Sequence, residues 1–532
     1  MKRKAISFLL ASVMTTSLVL AGCGSSDTAK SNNDSAKAAE TNASGTKAEA
    51  AGTGEKAGSE AAPAADREEV TVNIAYYRPT QPSDETLDAL SEALSQLSLE
   101  KFNTKVKLHV IAKADYANYI NLTLAGGEEL DWFQSGNSGM TLFGMYDSEQ
   151  VTVLDEYLSE DSPIMEYTTK EDLNCCRVDG NLIALPAVKN KGYSAIATFN
   201  ADVVDQLGLY DAVRSADDLE DLEPILAAMK EAYPDKYPVG TNQGVMNYKF
   251  YVDPLGDLTL QSGVLEDITK DTTVTNFFES EEFKAFCEQM HTWSENGWID
   301  PDYETSSNAI STLLSNGECF VVFQDSNIDL AAVSEEERAA SEASNIIRAY
   351  NAQITPFYSV TTAVNNYTWV MPYTCKNPER AMEIMEWLYS DPEASTIMTM
   401  GLEGRNYTLD ENGYAKVISD TDYSYVNYIG PNGYISLHTA DEGDIFNTIL
   451  KCNMETQNSI GKGFMYDSTN VSVQATAVSN VCAKYEKGLK GGALDPDEYL
   501  PKFIDELKAA GIDEIIADKQ AQFDTWYAGQ SK

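Results

Sequence analysis

The chain has 532 residues, 43% hydrophobic and 10% aromatic, enough for a well-cored protein of two or three domain-sized units. Acidic residues outnumber basic ones 83 to 38, and the resulting formal charge of −45 disfavours nucleic acid and anionic lipid as partners. The sequence has no CxxC pair, P-loop, dinucleotide-binding glycine fingerprint or HExxH, and its three histidines (His109, His291, His438) are scattered, so zinc, nucleotide and His-triad chemistry find no support.

Lys2, Arg3 and Lys4 precede an apolar run from Ala5 to Leu20, which is too short and too broken by hydroxyl residues for a membrane span. Leu20-Ala21-Gly22-Cys23 follows at the depth of a cleavage site. The pattern resembles the signal of bacterial lipoproteins, in which the thiol, here Cys23, is diacylated and becomes the new N-terminus. That implies a signal peptide over 1–22 and attachment to the membrane through lipid alone. Seven cysteines remain (Cys175, Cys176, Cys287, Cys319, Cys375, Cys452, Cys482), an odd number that cannot close into a full disulfide set. Buried thiols are the simpler reading. Residues 24–66 carry no aromatic and no branched aliphatic side chain and cannot bury enough apolar surface to fold. With Cys23 they predict a flexible tether over 23–67, reaching roughly 35 Å.

Folding is expected from Val70. Val70 to Tyr76 alternates as a strand, and Ser83 or Asp84 caps a helix to about Glu100 with Leu87, Leu90, Leu94 and Leu97 on one face. Lys105 to Ile111 predicts a second strand and Asp115 to Ala125 a second helix, ended by Gly126-Gly127. Leu130 to Phe133 predicts a third strand opening into Gln134-Ser135-Gly136. This alternation implies a parallel α/β sheet, whose ligands sit beyond the carboxyl ends of the strands. Asp179-Gly180-Asn181 is a hairpin turn. Ala195 to Asn200 predicts another strand, with a helix through Leu207.

The run Ala184-Leu185-Pro186 followed by Phe199-Asn200 resembles the crossover of extracellular solute-binding proteins of ABC importers, the maltose-binding-protein type. Asp217 to Met229, Leu314 to Val322 and Asn377-Pro378-Glu379-Arg380-Ala381-Met382 match further family segments in order. In the last, Asn377 is the expected cap and Pro378 the first helical residue. Gly401 to Tyr407, Gly463 to Asp467, and Tyr485 onward through Leu494 to Glu498, Leu507 to Ile512 and Trp526 resemble the LplA-type lipoproteins with a C-terminal domain of unknown function. Asp495 reads as a helix cap with Glu498 at the capping-box position, in preference to calcium ligands.

The resemblance implies an α/β, two-lobed periplasmic-binding-protein-like (type II) fold with hinge crossovers and a helical C-terminal extension. The expected division is 68–186 for the first part of lobe 1, 187–366 for the first part of lobe 2, 367–410 for the return to lobe 1, and 411–532 mostly for lobe 2 and terminal helices. A sugar cleft needs aromatic rings for pyranose C–H faces and charged or amide groups for hydroxyls. The candidates at strand ends and crossovers are Tyr77, Asp131, Trp132, Tyr193, Asp325, Tyr367, Trp369, Glu403 and Arg405. Trp132→Ala or Glu403→Ala is expected to weaken binding without changing fold stability.

By the same resemblance the chain captures an extracellular solute, an oligosaccharide, and delivers it to ABC permease subunits. It acts as a lipid-anchored monomer on the outer face of a Gram-positive cell, with no catalysis, metal or cofactor. Two alternatives stay open: a surface-anchored polysaccharide hydrolase, and a sensory lipoprotein for peptide or sugar. Carboxylates are too abundant for any pair to be singled out as a glycosidase dyad.

Overall fold

The computed structural model describes residues 67–136, 138–240, 248–257, 259–301, 314–343, 347–440, 442 and 445–530. The expected signal peptide, Cys23 and nearly all of the tether lie outside the described residues.

Strand β1 (Val70–Arg78) runs two residues beyond the alternating stretch because its end is held by side chains rather than by pattern. The buried Arg78 guanidinium donates to the carbonyls of Met398 at 2.7 Å and Thr399 at 3.0 Å and lies 3.6 Å from the Tyr423 ring centroid. Ser83 caps α1 (Asp84–Phe102), and Asn103, at φ 51°, ends it in the left-handed region that Asn tolerates. Next come β2 (Thr104–Ala112), α2 (Lys113–Ala125) and β3 (Trp132–Gly136). A tight turn with Asp179 at φ 50° and Gly180 at φ 82° joins β4 (Arg177–Val178) to β5 (Asn181–Leu182), as a type I′ hairpin requires. Leu185–Pro186 forms β6.

The chain then crosses to a second sheet. Its centre is β7 (Ser194–Asn200), flanked antiparallel by β8 (Val321–Ser326) and β9 (Ala349–Gln353). After the two-residue β10 (Tyr358–Ser359) it returns as β11 (Tyr367–Val370), giving the first sheet the order β2-β1-β3-β11-β6. Strands β1 to β3 are parallel, whereas β11 runs antiparallel to both β3 and β6.

Two large apolar cores match the two sheets. The C-terminal region contributes to both. Tyr423, Tyr434, Phe446 and Cys452 pack in the first core, and Val478, Phe503 and Ile515 in the second. The buried Arg78, which gathers Tyr423 and the chain around it onto β1, accounts for part of its share in the first. Between these parts the chain laces the two crossovers together. Asn453 bonds the Lys191 N–H at 2.7 Å and the Lys189 carbonyl at 2.7 Å, Gln457–Asn458 pairs with β10, and the Gly463 N–H donates to Thr361.

Three helices finish the chain: Ser472–Lys490, Pro496–Ala510 and Ile512–Gln530. Asp495 caps the second, but Glu498 pairs with Lys502 along the helix rather than closing a capping box. No helix among the described residues is long and apolar enough to cross a membrane.

Candidate functional site

Where the crossovers meet, a cavity of about 400 Å³ opens. Lys189 and Asn190 border it from the first crossover, Thr362 and Asn366 from the second, Tyr248, Lys249, Asp325 and Asn327 from the second-sheet side, and Glu486 and Lys490 from the helix Ser472–Lys490. It lies beside the crossovers that join the two sheets, a common setting for a ligand.

Tyr193 and Tyr358 form an edge-to-face pair there, with centroids 4.6 Å apart, and the Tyr193 N–H donates to the Tyr358 carbonyl at 2.9 Å. The Tyr358 hydroxyl is spent on the Phe250 carbonyl at 2.7 Å, which locks that ring. Asp325 is opposite Ala195 in the sheet register and open to solvent. The surrounding protein still raises its carboxyl above the ordinary range, with Lys249 acting against that rise. Asn190 Nδ2 donates to Asn327 Oδ1 at 2.8 Å. The Asn366 side-chain oxygen, also at the cavity, is buried and accepts no hydrogen bond in the structure, an open acceptor of the kind that a ligand hydroxyl satisfies.

Lys189 holds the two crossovers together. Its buried Nζ donates to the Asn190 carbonyl at 3.0 Å and the Ala363 carbonyl at 2.9 Å. Burial, with Lys191 nearby, lowers its ammonium to about 7. It lies 5.8 Å from the Tyr367 ring, which continues into an aromatic group with Tyr77 at 6.4 Å and Tyr428 at 5.4 Å.

Of the nine candidates, Tyr193 and Asp325 line the cavity, Tyr367 lies 5.8 Å from the rim residue Lys189, and the buried Tyr77 connects to it only through Tyr367. The other five candidates lie elsewhere. β3 begins at Trp132, two residues later than the apolar run suggests, so Asp131 and Trp132 stand at its amino end. Asp131 is buried and accepts from the Asn73 N–H at 2.7 Å, and the buried Trp132 donates to the Ala381 carbonyl at 2.8 Å. Trp369 is fully enclosed in the first core beside Tyr76. Glu403 and Arg405 lie on an outer face, where Arg405 reaches Thr86 at 2.9 Å on α1. Glu403 borders another cavity, about 800 Å³, which is lined only by elements on the first-core side and touches neither crossover. Lys189, Asn366 and Tyr428 were missed. The signal for Asn366 was present, since Asn365-Asn366 precedes Tyr367 at the return strand.

Among the described residues, Asp217, Asp218 and Asp221 come within metal-ligating reach of one another. All three are exposed, and Asp218 and Asp221 accept hydrogen bonds from backbone N–H groups of the same turn, so they read as a solvated turn.

Residues 460–528 match the family described as "Domain of unknown function (DUF3502)". Across most of its length the chain is 24% identical, over 476 residues, to a carbohydrate ABC transporter substrate-binding protein of Streptococcus pneumoniae serotype 4, covering 87% of this chain and 92% of that one. The N-glycan transport solute-binding protein NgtS of Streptococcus pneumoniae superposes at TM-score 0.72 and 20% identity, over 87% of this chain and all of that one. The chain has the solute-binding-protein fold. An HMO-binding, ABC-transporter-associated solute-binding protein of Bifidobacterium longum infantis shares that fold at TM-score 0.54 and 18% identity, over 87% of this chain and 100% of its own. NgtS in complex with Man1GlcNAc or Man5GlcNAc superposes at 0.62 or 0.59.

Proposed function

We propose that this protein captures an oligosaccharide in the crossover cavity and presents it to the membrane subunits of an ABC importer. The observation that carries this reading is the position of the cavity: it joins groups from both crossovers and from the second-sheet side, and Lys189 at its rim lies 5.8 Å from the Tyr367 ring of the Tyr77–Tyr367–Tyr428 group. A guest held there stabilises the arrangement in which the lobes grip it, by no more than its differential affinity for that arrangement. The relatives support a carbohydrate guest, since one is named for carbohydrate transport and another binds N-glycan fragments. The lower superposition on the glycan-bound forms of NgtS is consistent with lobes that turn about their crossovers.

In this reading Tyr77, Tyr193 and Tyr367 cover sugar faces, and Asp325 and Asn366 take hydroxyls. The lobes are 68–186 with 367–410, and 187–366, and the C-terminal region from 411 is shared between them. The protein is not an enzyme and releases its guest unaltered. It works as a monomer on the outer face of a Gram-positive cell membrane, held through diacylated Cys23. The permease, not a sensor kinase, is its partner.

A thermal-shift and calorimetric screen with Man1GlcNAc, Man5GlcNAc and milk oligosaccharides tests the capture, because binding to the folded form alone raises Tm. No shift with any of them would defeat the carbohydrate reading, and newly released reducing ends would mean a hydrolase. Cys23→Ala is expected to move the protein from the membrane fraction into the medium; unchanged retention would refute the anchor.

A further inference from the structure

Pro254, Asp257, Thr259, Leu260 and Gln261 form one wall of the crossover cavity, and the C-terminal domain holds that wall from behind. Lys519, on the helix Ile512–Gln530, is 0% exposed. Its ammonium donates to the Pro254 carbonyl at 2.9 Å, the Ser262 hydroxyl at 3.0 Å and the Gly263 carbonyl at 3.2 Å. One cation therefore ties both ends of the wall, using its three donors on three acceptors. The Asp257 carboxylate stands 3.9 Å away and accepts from Ser262.

The backbone between those ends is also pressed against the domain. Leu255 has φ 56°, a conformation that a side-chain-bearing residue adopts only when its surroundings impose it. Its side chain sits in a small core with Phe464 and Phe523. Gly256, at φ 77°, passes so close to the domain that a Cβ would stand 2.6 Å from the Phe464 carbonyl oxygen.

We propose that the C-terminal domain is a ligand-binding element, in which Lys519 positions the cavity wall at 254–257 and 259–263. The assignment builds on the crossover cavity being the glycan site. Without the ammonium, two carbonyls and a hydroxyl lose their donor in a buried place, and the wall opens.

Titration gives the assignment a signature. Burial lowers the Lys519 ammonium from 10.5 to about 8, while Asp257 and Asp253 act the other way. The Tyr466 ring lies 4.8 Å off. Opening the wall returns the ammonium to water and so takes up a proton between those two values. Opening must therefore become rarer as pH rises above 8, by up to about tenfold per unit.

Amide exchange in the ligand-free protein tests this. Peptides covering the wall are compared with the helix Pro378–Ser390 as control. In the wild type, wall exchange corrected for its chemical rate should fall from pH 8 to 9.5. In Lys519→Met it should be at least tenfold faster at pH 7, with no such fall and an unchanged control helix. Ser262→Ala, which removes one acceptor and disturbs the fold less, should show a smaller change in the same direction. An unaltered wall, or equal acceleration everywhere, would overturn the positioning role. Calorimetry with Man5GlcNAc should show at least tenfold weaker binding for Lys519→Met. Undiminished affinity with an opened wall would overturn the claim that the domain serves binding. If the wild type bound none of the glycans screened, the carbohydrate reading would fall, and the exchange data would still decide whether Lys519 positions the wall.

Discussion

The ammonium of Lys462 lies 2.8 Å from the carboxylate of Asp172, although 290 residues separate them in sequence. On the other carboxylate oxygen stands Lys191 Nζ, at 2.6 Å. Asp172 belongs to the first-core side, Lys191 to the first crossover, and Lys462 to the segment that laces the crossovers, so three distant parts of the chain share one buried charge cluster. All three side chains are 3% exposed or less.

Removing the carboxylate leaves two ammonium groups facing each other away from water. Asp172→Asn is expected to cost on the order of 3–5 kcal/mol at pH 7, read as a lower urea midpoint. Burial raises the Asp172 carboxyl, but Lys191 and Lys462 outweigh it and bring it to about 2, against an ordinary value of 3.8. Its contribution is thus complete above 3.8 and lost as pH falls through 2. Wild type and variant should converge across that window, and a constant gap would contradict the cluster's role.

Trp132 makes a sharper test of what the sequence could convey. Read as a cleft residue, it should be replaceable at no cost in stability. Buried and bonded to the Ala381 carbonyl, it should instead cost roughly 3–5 kcal/mol as Trp132→Ala, from lost packing and the cavity left behind. Urea unfolding of the ligand-free variant decides, and an unchanged midpoint would restore the cleft reading.

The contrast between Trp132 and Tyr193 shows where sequence pattern carries and where it fails. Strands, the Ser83 cap and the Asp179-Gly180 turn follow from local rules and form near their expected places, whereas Asn377 stands at its helix start without a side-chain capping bond and Glu498 closes no capping box. A site residue depends on register, and a two-residue shift of β3 turned an expected carboxyl end into an amino end. Tyr193 lines the crossover cavity because crossovers are set by chain order, which the motifs preserve. Lys189 was hidden because a lysine in an extended run looks like a solvated charge. Only the folded crossovers show that it is buried and bonded to Ala363.

Asp325 offers a functional test with little structural cost. The group is open to solvent, so Asp325→Asn should leave Tm nearly unchanged, as surface substitutions stay within about 0.5 kcal/mol. A lost charge-assisted hydrogen bond to a sugar hydroxyl is worth about 1.5–3 kcal/mol, which is roughly tenfold or more in Kd. Calorimetry on the tightest glycan from the screen reads this directly. Unchanged affinity would remove Asp325 from the site.

Lys189 predicts a pH dependence of the same sense as that of Asp172, but in a window several units higher. Its ammonium sits at about 7 in the folded chain, against 10.5 for an ordinary lysine, so between those values the unfolded chain binds more protons. Native stability must then rise with pH across the window, by up to about 1.4 kcal/mol per unit for one fully coupled group. Lys191, Lys490 and Lys519 are lowered by burial too, so the wild-type curve alone cannot isolate Lys189. The difference between wild type and Lys189→Met can. In the variant the Ala363 carbonyl loses its donor at every pH, a constant cost, while the desolvated charge is gone. The wild type should therefore gain on Lys189→Met as pH rises from 6.5 to 9, measured by urea unfolding at each pH. A difference that stays flat would mean that the Lys189 ammonium keeps its ordinary affinity for protons at the crossover.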